Sequence, residues 1–502
     1  MSQSTTTYLS LFLAIIPMIG FVLHALFNKN SKRGAQLATA AIGVGLALSF
    51  MLLVHCYGDT ASIYFLGFKA DSLGFLMTTL IFFVSVVVHQ FSIRYMAGDL
   101  AFKFYFYKLS LITSSAVMMV LADHVIVFLI AWCVTNLLLI SLMIHKQTWA
   151  AAAYSGKLAF KTLFRGAIIF SIALGLMYLD ADSSSISMIT QKGTHSPRMF
   201  FALILCIITA MSQSALWPFH RWLTSSLNSP TPVSAIMHAG IVNGGGFLLV
   251  RFAPLLVEYT LLLNFIFCVG VISAILGTLW KLVQSDVKRM LACSTMGQMG
   301  FMMIQCGLGL FSAAIAHLIL HGLFKAFLFL SAGSAVQSKK TSQNNTSSRI
   351  RFVLASIYGL LGAFSFAWFS AQSFFTINTS LFLLGFAFIA ATQVAYSLLQ
   401  EPLTFIKNLL AIAAAFISGM VYGCSIHLIE AAVPSITMAH HPVNSLHVTA
   451  FIVFILIWLL LNLDSLRFIH KTSFWKRCYF LLLNGSQPHP KTITSIRQSY
   501  QY

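Results

Sequence analysis

Met211–Phe252 reads MSQSALWPFHRWLTSSLNSPTPVSAIMHAGIVNGGGFLLVRF. It begins with a proline-marked interruption, SALWPFHRW, and ends in an apolar run long enough to cross a bilayer. A histidine, His238, lies inside that run. An ionisable group costs several kcal/mol in a bilayer, so one that is retained points to function. Backbone breaks at membrane depth are tolerated where the freed groups line a cavity or an ion path. Both features point to movement of a small cation, most simply a proton.

The rest of the chain sets that segment in a membrane. Of its 502 residues, 58% are hydrophobic and only 8% charged, against roughly a quarter charged in soluble proteins. Apolar runs of spanning length recur from end to end, about 15 of them. They centre near residues 18, 46, 81, 113, 134, 170, 208, 242, 269, 298, 324, 362, 389, 416 and 455. The expected fold is an all-α polytopic membrane protein.

A formal charge of +19 raises nucleic acid as a partner, but its placement argues otherwise. With the N-terminus outside, twenty-five of the 30 Lys and Arg fall in cytoplasmic loops or the C-terminal tail. Only Lys69, Lys192, Arg198 and Arg251 fall on the other side. This positive-inside bias predicts N-terminus out, C-terminus in, and an odd number of spans. The charge is a topology signal first and a lipid-binding one second. The first span lacks a basic leader and a cleavage site, so it is expected to be retained. The eight cysteines are scattered without a CxxC pair and read as small core residues.

Polar punctuation divides the chain. Residues 1–105 hold helices 1–3, 106–253 a first five-helix unit, 254–400 a second, 401–463 helices 14 and 15, and 464–502 a basic cytoplasmic tail. Ser338–Arg351 is the most polar inner loop, and Ser473–Leu483 reads as an interfacial helix. Both five-helix units contain a polar helix, a pattern that fits a transporter built from inverted repeats.

His317, His321 and Lys325 in AAIAHLILHGLFKAFLFL are spaced i, i+4, i+8. That spacing puts them on one helix face over roughly 12 Å of rise. Histidine titrates near neutrality, and a desolvated lysine can exchange protons rather than hold one permanently. The file reads as part of a proton relay. The structural alternative is two backbone-bonded histidines beside a snorkelling lysine. A zinc site lacks a nearby carboxylate to complete it. His238 reads as a further relay member or as a helix–helix hydrogen-bond partner, and the glycines beside it read as close-packing positions.

Asp286, Lys288 and Arg289 open helix 10, either as a topological anchor or as an inner proton entrance with Lys288 aimed into the bundle. Ser294, Thr295 and Gln298 would extend a hydrated path. Asp123 lies at an outer span boundary, as an exit carboxylate or a loop residue. No nucleophile–base pair, Walker loop or dinucleotide fingerprint is present, so the chain is expected not to be an enzyme by itself and to hold no cofactor or metal.

The blocks PFHRWL, SPTPVSAIMHAGIVNGGGFLLVRF, SDVKRMLACSTMGQMGF and HLILHGLFKAFLFLSAGS occur in this order between Ala122 and Val336. They resemble the proton-conducting antiporter-like family: the large membrane subunits of respiratory complex I, multisubunit cation/proton antiporters and their relatives. The resemblance implies two inverted five-helix repeats with broken helices 7 and 12. It also implies a polar axis through His238, Lys288, His317, His321 and Lys325.

The departures from the family pattern concern its N-terminal ion pair. Cys133 stands where complex I relatives carry a glutamate, Gln213 where they carry a lysine, and no lysine occurs in spans 12 or 13. This combination is similar to the family's inorganic-carbon-accumulating branch, which implies a partner, a large DabA-like zinc protein related to β-carbonic anhydrases. Cation flow, of protons or sodium ions, would drive hydration of carbon dioxide to bicarbonate there, with the zinc in the partner. The competing readings are a subunit of a redox-driven or cation/proton antiporter complex and a non-conducting membrane scaffold.

Overall fold

A computed structural model describes residues 3–26, 31–58, 62–193, 195–333, 349–371, 378–400, 404–434, 442–463 and 472–493. The polar loop at 338–348 and the basic residues of 464–471 and 494–502 lie outside the described residues. Fourteen of the fifteen apolar centres fall in α-helices, and the other, near residue 242, falls in the interruption of one. The helices are α1 (Gln3–Leu26), α2 (Ser31–His55), α3 (Ser72–Tyr95), α4 (Phe102–Leu121), α5 (Val125–Met143), α6 (Ala150–Ala181) and α7 (Pro197–Gln213). The interrupted α8 follows, as α8a (Thr231–Ala239) and α8b (Gly244–Arg251). Then come α9 (Thr260–Leu282), α10 (Val287–Gly307), α11 (Phe311–Leu330), α12 (Arg349–Phe369), α13 (Ser380–Leu399), α14 (Phe405–Ala432) and α15 (Ser445–Asn462).

Among the described residues, 12 helices are long and apolar enough to cross a membrane unaided. The sequence count of about 15 includes three that are not. The apolar part of α1 is confined to Tyr8–Leu23, α7 is cut short at Gln213, and α10 is diluted by Lys288, Arg289 and polar side chains. Helices dominate because lipid offers backbone groups no hydrogen bonds. α6 turns Phe164, Ile168 and Ile172 outward at i, i+4, i+8 spacing, each 47–51% exposed. A chain in water would not keep such a stripe bare. The interrupted α8 occupies the centre, with 94% of its most apolar window buried, whereas α15 has 6% and lies at the rim.

One feature departs from the sequence reading. A short hairpin, β1 (Ile63–Phe65) and β2 (Phe68–Ala70), turns at Leu66–Gly67 with positive φ at both residues. The Gly67 carbonyl accepts from the backbone N–H groups of Asp123 and His124, pinning the α4–α5 loop to this hairpin. α12 runs unbroken from Arg349 to Phe369, as α7 does from Pro197 to Gln213. Its chain turns out only at Ala371, with φ +55. Ser370–Ala371 thus repeats Ser214–Ala215 at the end of α7, where Ala215 has φ +50. Residues 372–377, where the expected break in helix 12 would continue, lie outside the described residues. Beyond α15, α16 (Ser473–Ser486) exposes Phe474, Phe480 and Leu481, as an interfacial helix would. Its end is tied to the bundle where Gln284 donates to Ser486 Oγ at 2.6 Å.

The face carrying the hairpin is held by one charged cluster. Asp71 caps α3, accepting from Gly74 N at 2.7 Å. Its carboxylate also pairs with Arg251 at 2.7 Å and Lys69 at 3.2 Å. Arg251 donates on to the Val120 carbonyl at 2.8 Å, so α3, α4 and α8b meet at one carboxylate. Burial alone would raise the Asp71 carboxyl. The Arg251 and Lys69 charges and the Gly74 N–H more than offset that and hold it below the usual carboxylate value. A depressed carboxyl stabilises the fold fully above its unfolded value of about 3.9, and the contribution fades as pH falls through the lower folded value. Asp71→Asn should therefore lower stability at pH 7 by about 3 kcal/mol, because it strands Arg251. The wild type should hold this contribution throughout mildly acidic pH. Melting of the detergent-solubilised chain between pH 4 and pH 8 checks both expectations, and equal melting points for the two proteins would refute them.

Candidate functional site

The site is built where α7 and α8 both break. α7 stops at Gln213, and α8 is interrupted between Ala239 and Gly244. The two breaks satisfy each other. Gln213 Nε2 donates to the Ile241 carbonyl at 3.2 Å, and Ser214 Oγ donates to the Val242 carbonyl at 2.8 Å. Trp222 Nε1 donates to the Ser212 carbonyl at 3.0 Å. Asn243 Nδ2 returns to the Ala239 carbonyl at 2.7 Å. The approach is close enough to require glycine. A Cβ on Gly245 would lie 2.3 Å from Ser214 Oγ and 2.4 Å from the Ala210 carbonyl oxygen. The close-packing reading of these glycines thus has a physical basis in the contact itself.

On α11, His317, His321 and Lys325 share one face, and the two rings stack with centroids 5.9 Å apart. His321 and Lys325 are buried, and His317 is half-buried against Phe301. His238 of α8a stacks on Phe329, with centroids 4.2 Å apart. Its Nδ1 meets Thr295 Oγ1 of α10 at 3.1 Å. Thr295 donates to the Leu291 carbonyl at 3.0 Å, and Lys325 Nζ donates to the same carbonyl at 3.1 Å. One backbone oxygen therefore joins His238, through Thr295, to Lys325. With the Thr295 proton on that carbonyl, His238 Nδ1 carries the hydrogen it shares with Thr295. The His321 ring bonds to the backbone of His238, and the His317 ring to the backbone of Gln298. The Nε2 atoms of His317 and His321 and the Asn243 Oδ1 have no hydrogen-bond partner among the described residues. They are buried polar atoms aimed into the polar core.

The remaining candidates are placed differently. Lys288 Nζ donates to the Ser229 carbonyl at 3.1 Å, at the start of α8a. Both Lys288 and Lys325 lie within electrostatic reach of His238. Asp286 is exposed and caps α10, accepting from Arg289 N at 2.9 Å. Asp123 is buried and accepts from Ser185 Oγ, Ser187 N and Ser187 Oγ, clamping the short helix Ile186–Lys192 to the α4–α5 loop.

Sequence reasoning missed Asn136. Gln213 and Asn136 exchange hydrogen bonds at 3.0 and 3.1 Å, so a pair of neutral amides holds the position beside the break. Asn136 lies one helical turn from the Trp132–Cys133 site, on the face towards α7. A cavity of about 70 Å³ adjoins the pair, lined by Ser85, Thr113, Thr135, Asn136, Gln213 and Asn243 among apolar side chains. A second omission is His89, fully buried in α3. The signal that marked His238, a histidine in an apolar run, was present there too. Gly245→Ala should disturb the paired breaks and lower the melting point. Gly175→Ala in α6, where an added Cβ meets nothing within 4 Å, should leave it unchanged or raise it slightly. Equal melting of the two variants would show that the breaks tolerate separation.

Known proteins place this arrangement in a family. Residues 122–351 match the family described as NADH:quinone oxidoreductase/Mrp antiporter, TM, a range that contains the Ala122–Val336 blocks quoted above. Residues 61–106 match the N-terminus of complex I chain 5. A probable inorganic carbon transporter subunit DabB1 from Halothiobacillus neapolitanus is 32% identical over 76% of this chain and 75% of its own length. The probable DabB subunit of Bacillus anthracis is 33% identical over 73% and 72%. NADH-ubiquinone oxidoreductase chain 5 of Metridium senile is 30% identical over 78% and 71%. In fold, the chain is similar to a subunit of the Mrp complex from Dietzia sp. DQ12-45-1b, with TM-score 0.65 and 22% identity. That match spans 96% of this chain and 59% of the other. The chain belongs to the antiporter-like family of membrane subunits, shared by NADH:quinone oxidoreductases and Mrp antiporters, that includes the DabB inorganic carbon transporter subunits.

Proposed function

We propose that this chain is the cation-conducting membrane subunit of an energy-coupled inorganic carbon uptake complex, and that the cation is a proton. The observation that carries the reading is the buried connection His238–Thr295–Leu291 carbonyl–Lys325, continued along α11 by His321 and His317. An imidazole can take a proton on one nitrogen and release one from the other. A lysine whose ammonium bonds to a carbonyl, with no carboxylate paired to it among the described residues, is the natural partner for such exchange. Lys288, in the first turn of α10 and bonded to the Ser229 carbonyl just before α8a, is the group through which protons would reach the relay from the basic face.

Similarity to the DabB subunits favours the uptake complex over a redox-driven one. In this reading the N-terminus lies outside a bacterial inner membrane, and the basic face is cytoplasmic. A DabA-like zinc protein docks on that face, takes up carbon dioxide and hydrates it to bicarbonate, using the proton flow as its energy source. The chain itself contributes transport, not an active site. The neutral Asn136–Gln213 pair favours a second reading, a non-conducting membrane scaffold.

Co-expression with the zinc partner, followed by inorganic carbon uptake with and without an uncoupler, separates the two. Uptake should require both proteins and collapse with the uncoupler. Uptake indifferent to the uncoupler supports the scaffold. Lys325→Ala should abolish uptake while the complex still assembles. Thr295→Val, which keeps shape but breaks the link, should slow it by about tenfold, equivalent to roughly 1.4 kcal/mol. Normal uptake by Lys325→Ala at equal protein levels would sink the relay.

A further inference from the structure

The relay above uses none of the polar groups buried between α3 and α4, yet these form a second file. At the basic face, His145 Nε2 pairs with Asp99 at 3.0 Å, with side-chain exposures of 8% and 24%. The His145 ring meets the buried Tyr105 edge-on, with centroids 5.6 Å apart. Tyr105 Oη lies 3.0 Å from Ser92 Oγ, and Ser92 donates to the Val88 carbonyl, so the tyrosine donates to the serine. One helical turn further, on the same face of α3, is His89.

His89 is addressed from two sides. Its Nδ1 lies 2.8 Å from the Ser85 carbonyl and 3.1 Å from Ser85 Oγ. A carbonyl only accepts, so Nδ1 carries the hydrogen and Nε2 is the acceptor. Nε2 faces Ser110 Oγ at 3.5 Å. Beyond Nδ1, Ser85 Oγ meets Thr113 Oγ1 at 2.7 Å, and Thr113 donates to the Leu109 carbonyl, which sets Ser85 as donor to Thr113. Ser85 and Thr113 line the 70 Å³ cavity, whose far wall is the Ala239–Gly244 break beside His238. That volume has room for water, and its polar lining supplies the two to four partners a buried water needs. A histidine serving only to tie two helices needs one hydrogen bond. This one joins groups that lead to the surface on one side and to the cavity on the other.

We propose that His89 is the proton-carrying group of a second path, entering at the basic face between Asp99 and His145 and delivering to the cavity beside the α8 break. A proton arriving at Nε2 makes an imidazolium, and the Nδ1 proton then leaves toward Ser85 and Thr113. The ring returns to neutral with the hydrogen moved from one nitrogen to the other, and a ring or proton reorientation resets it. The steps from His145 to Tyr105 and from Ser92 to His89 would each be carried by one bridging water. The path gives the N-terminal half a titrating group where Asn136 and Gln213 supply none.

The proposal rests on the proton-conducting reading, and one experiment distinguishes the failure of each. The full chain, purified with its partner, is placed in vesicles holding a pH-sensitive dye, and proton flux is measured under an imposed pH difference. Wild-type flux that disappears in Lys325→Ala upholds the conducting reading. Absence of wild-type flux overturns that reading and the second path together. In His89→Asn the amide replaces the Nδ1–H donor to Ser85 but cannot carry a proton, and flux should fall at least tenfold with assembly and melting unchanged. Tyr105→Phe, which removes only the hydroxyl at Ser92, should reduce flux several-fold and serves if His89→Asn does not fold. Wild-type flux in whichever of these variants folds, with Lys325→Ala inactive, overturns the second path alone.

Discussion

The two interrupted spans hold each other's backbone. A carbonyl freed from a helix inside a membrane has no water to bond, and leaving it bare costs several kcal/mol. Here the carbonyls freed at Ile241 and Val242 of α8 are met by Gln213 and Ser214 at the end of α7. The Ser212 carbonyl of α7 is met by Trp222 from the segment that follows. Neither break is affordable without the other. Their mutual approach demands Gly245 and sets where the polar core lies.

That core is organised around backbone oxygens more than around charges. Leu291 contributes nothing to the chemistry through its side chain, yet its carbonyl holds both Thr295 and Lys325. The charged pairs among the described residues lie elsewhere. Asp71 with Arg251 and Lys69, His145 with Asp99, and His195 with Glu258 all sit at span ends or in loops. Ion pairs brace the ends of the bundle, and neutral or exchangeable groups line its middle. Such an arrangement suits charge that must move, since a fixed counter-ion beside Lys325 would hold its proton in place.

The two halves differ in what they place beside their breaks. Near α11 the groups titrate, whereas near α7 an amide pair does not. The cavity joins the second environment to the α8 interruption, one residue from His238. Asn136 can still orient water with one donor and one acceptor, and Gln213 with one acceptor, its two N–H groups being taken by Asn136 and Ile241, a role that needs no proton of their own.

The membrane fold was legible in composition and in the length of apolar runs, because lipid imposes the same local demand on every spanning segment. His238, His317, His321 and Lys325 were legible for a related reason: an ionisable residue in an apolar run stands out in one dimension. The span count was less secure. A helix such as α10, with Lys288 and many polar side chains, enters the bundle only because its neighbours bury them. The hairpin at Ile63–Ala70 was not read, since three-residue strands leave little pattern. His89 was readable by the rule that found His238, but its meaning was not, because Ser110 and Thr113 come from another helix. Thr295 was read as part of a hydrated path, but its bond to His238, the Leu291 carbonyl it shares with Lys325, Asn136 and the fit of Gly245 against Ser214 were likewise beyond the sequence. Residue type and spacing by themselves determined most of the segments that enter the membrane and which of them carry ionisable side chains. Only the tertiary structure decided which of those groups connect, because a hydrogen bond depends on a few tenths of an ångström between helices far apart in the chain.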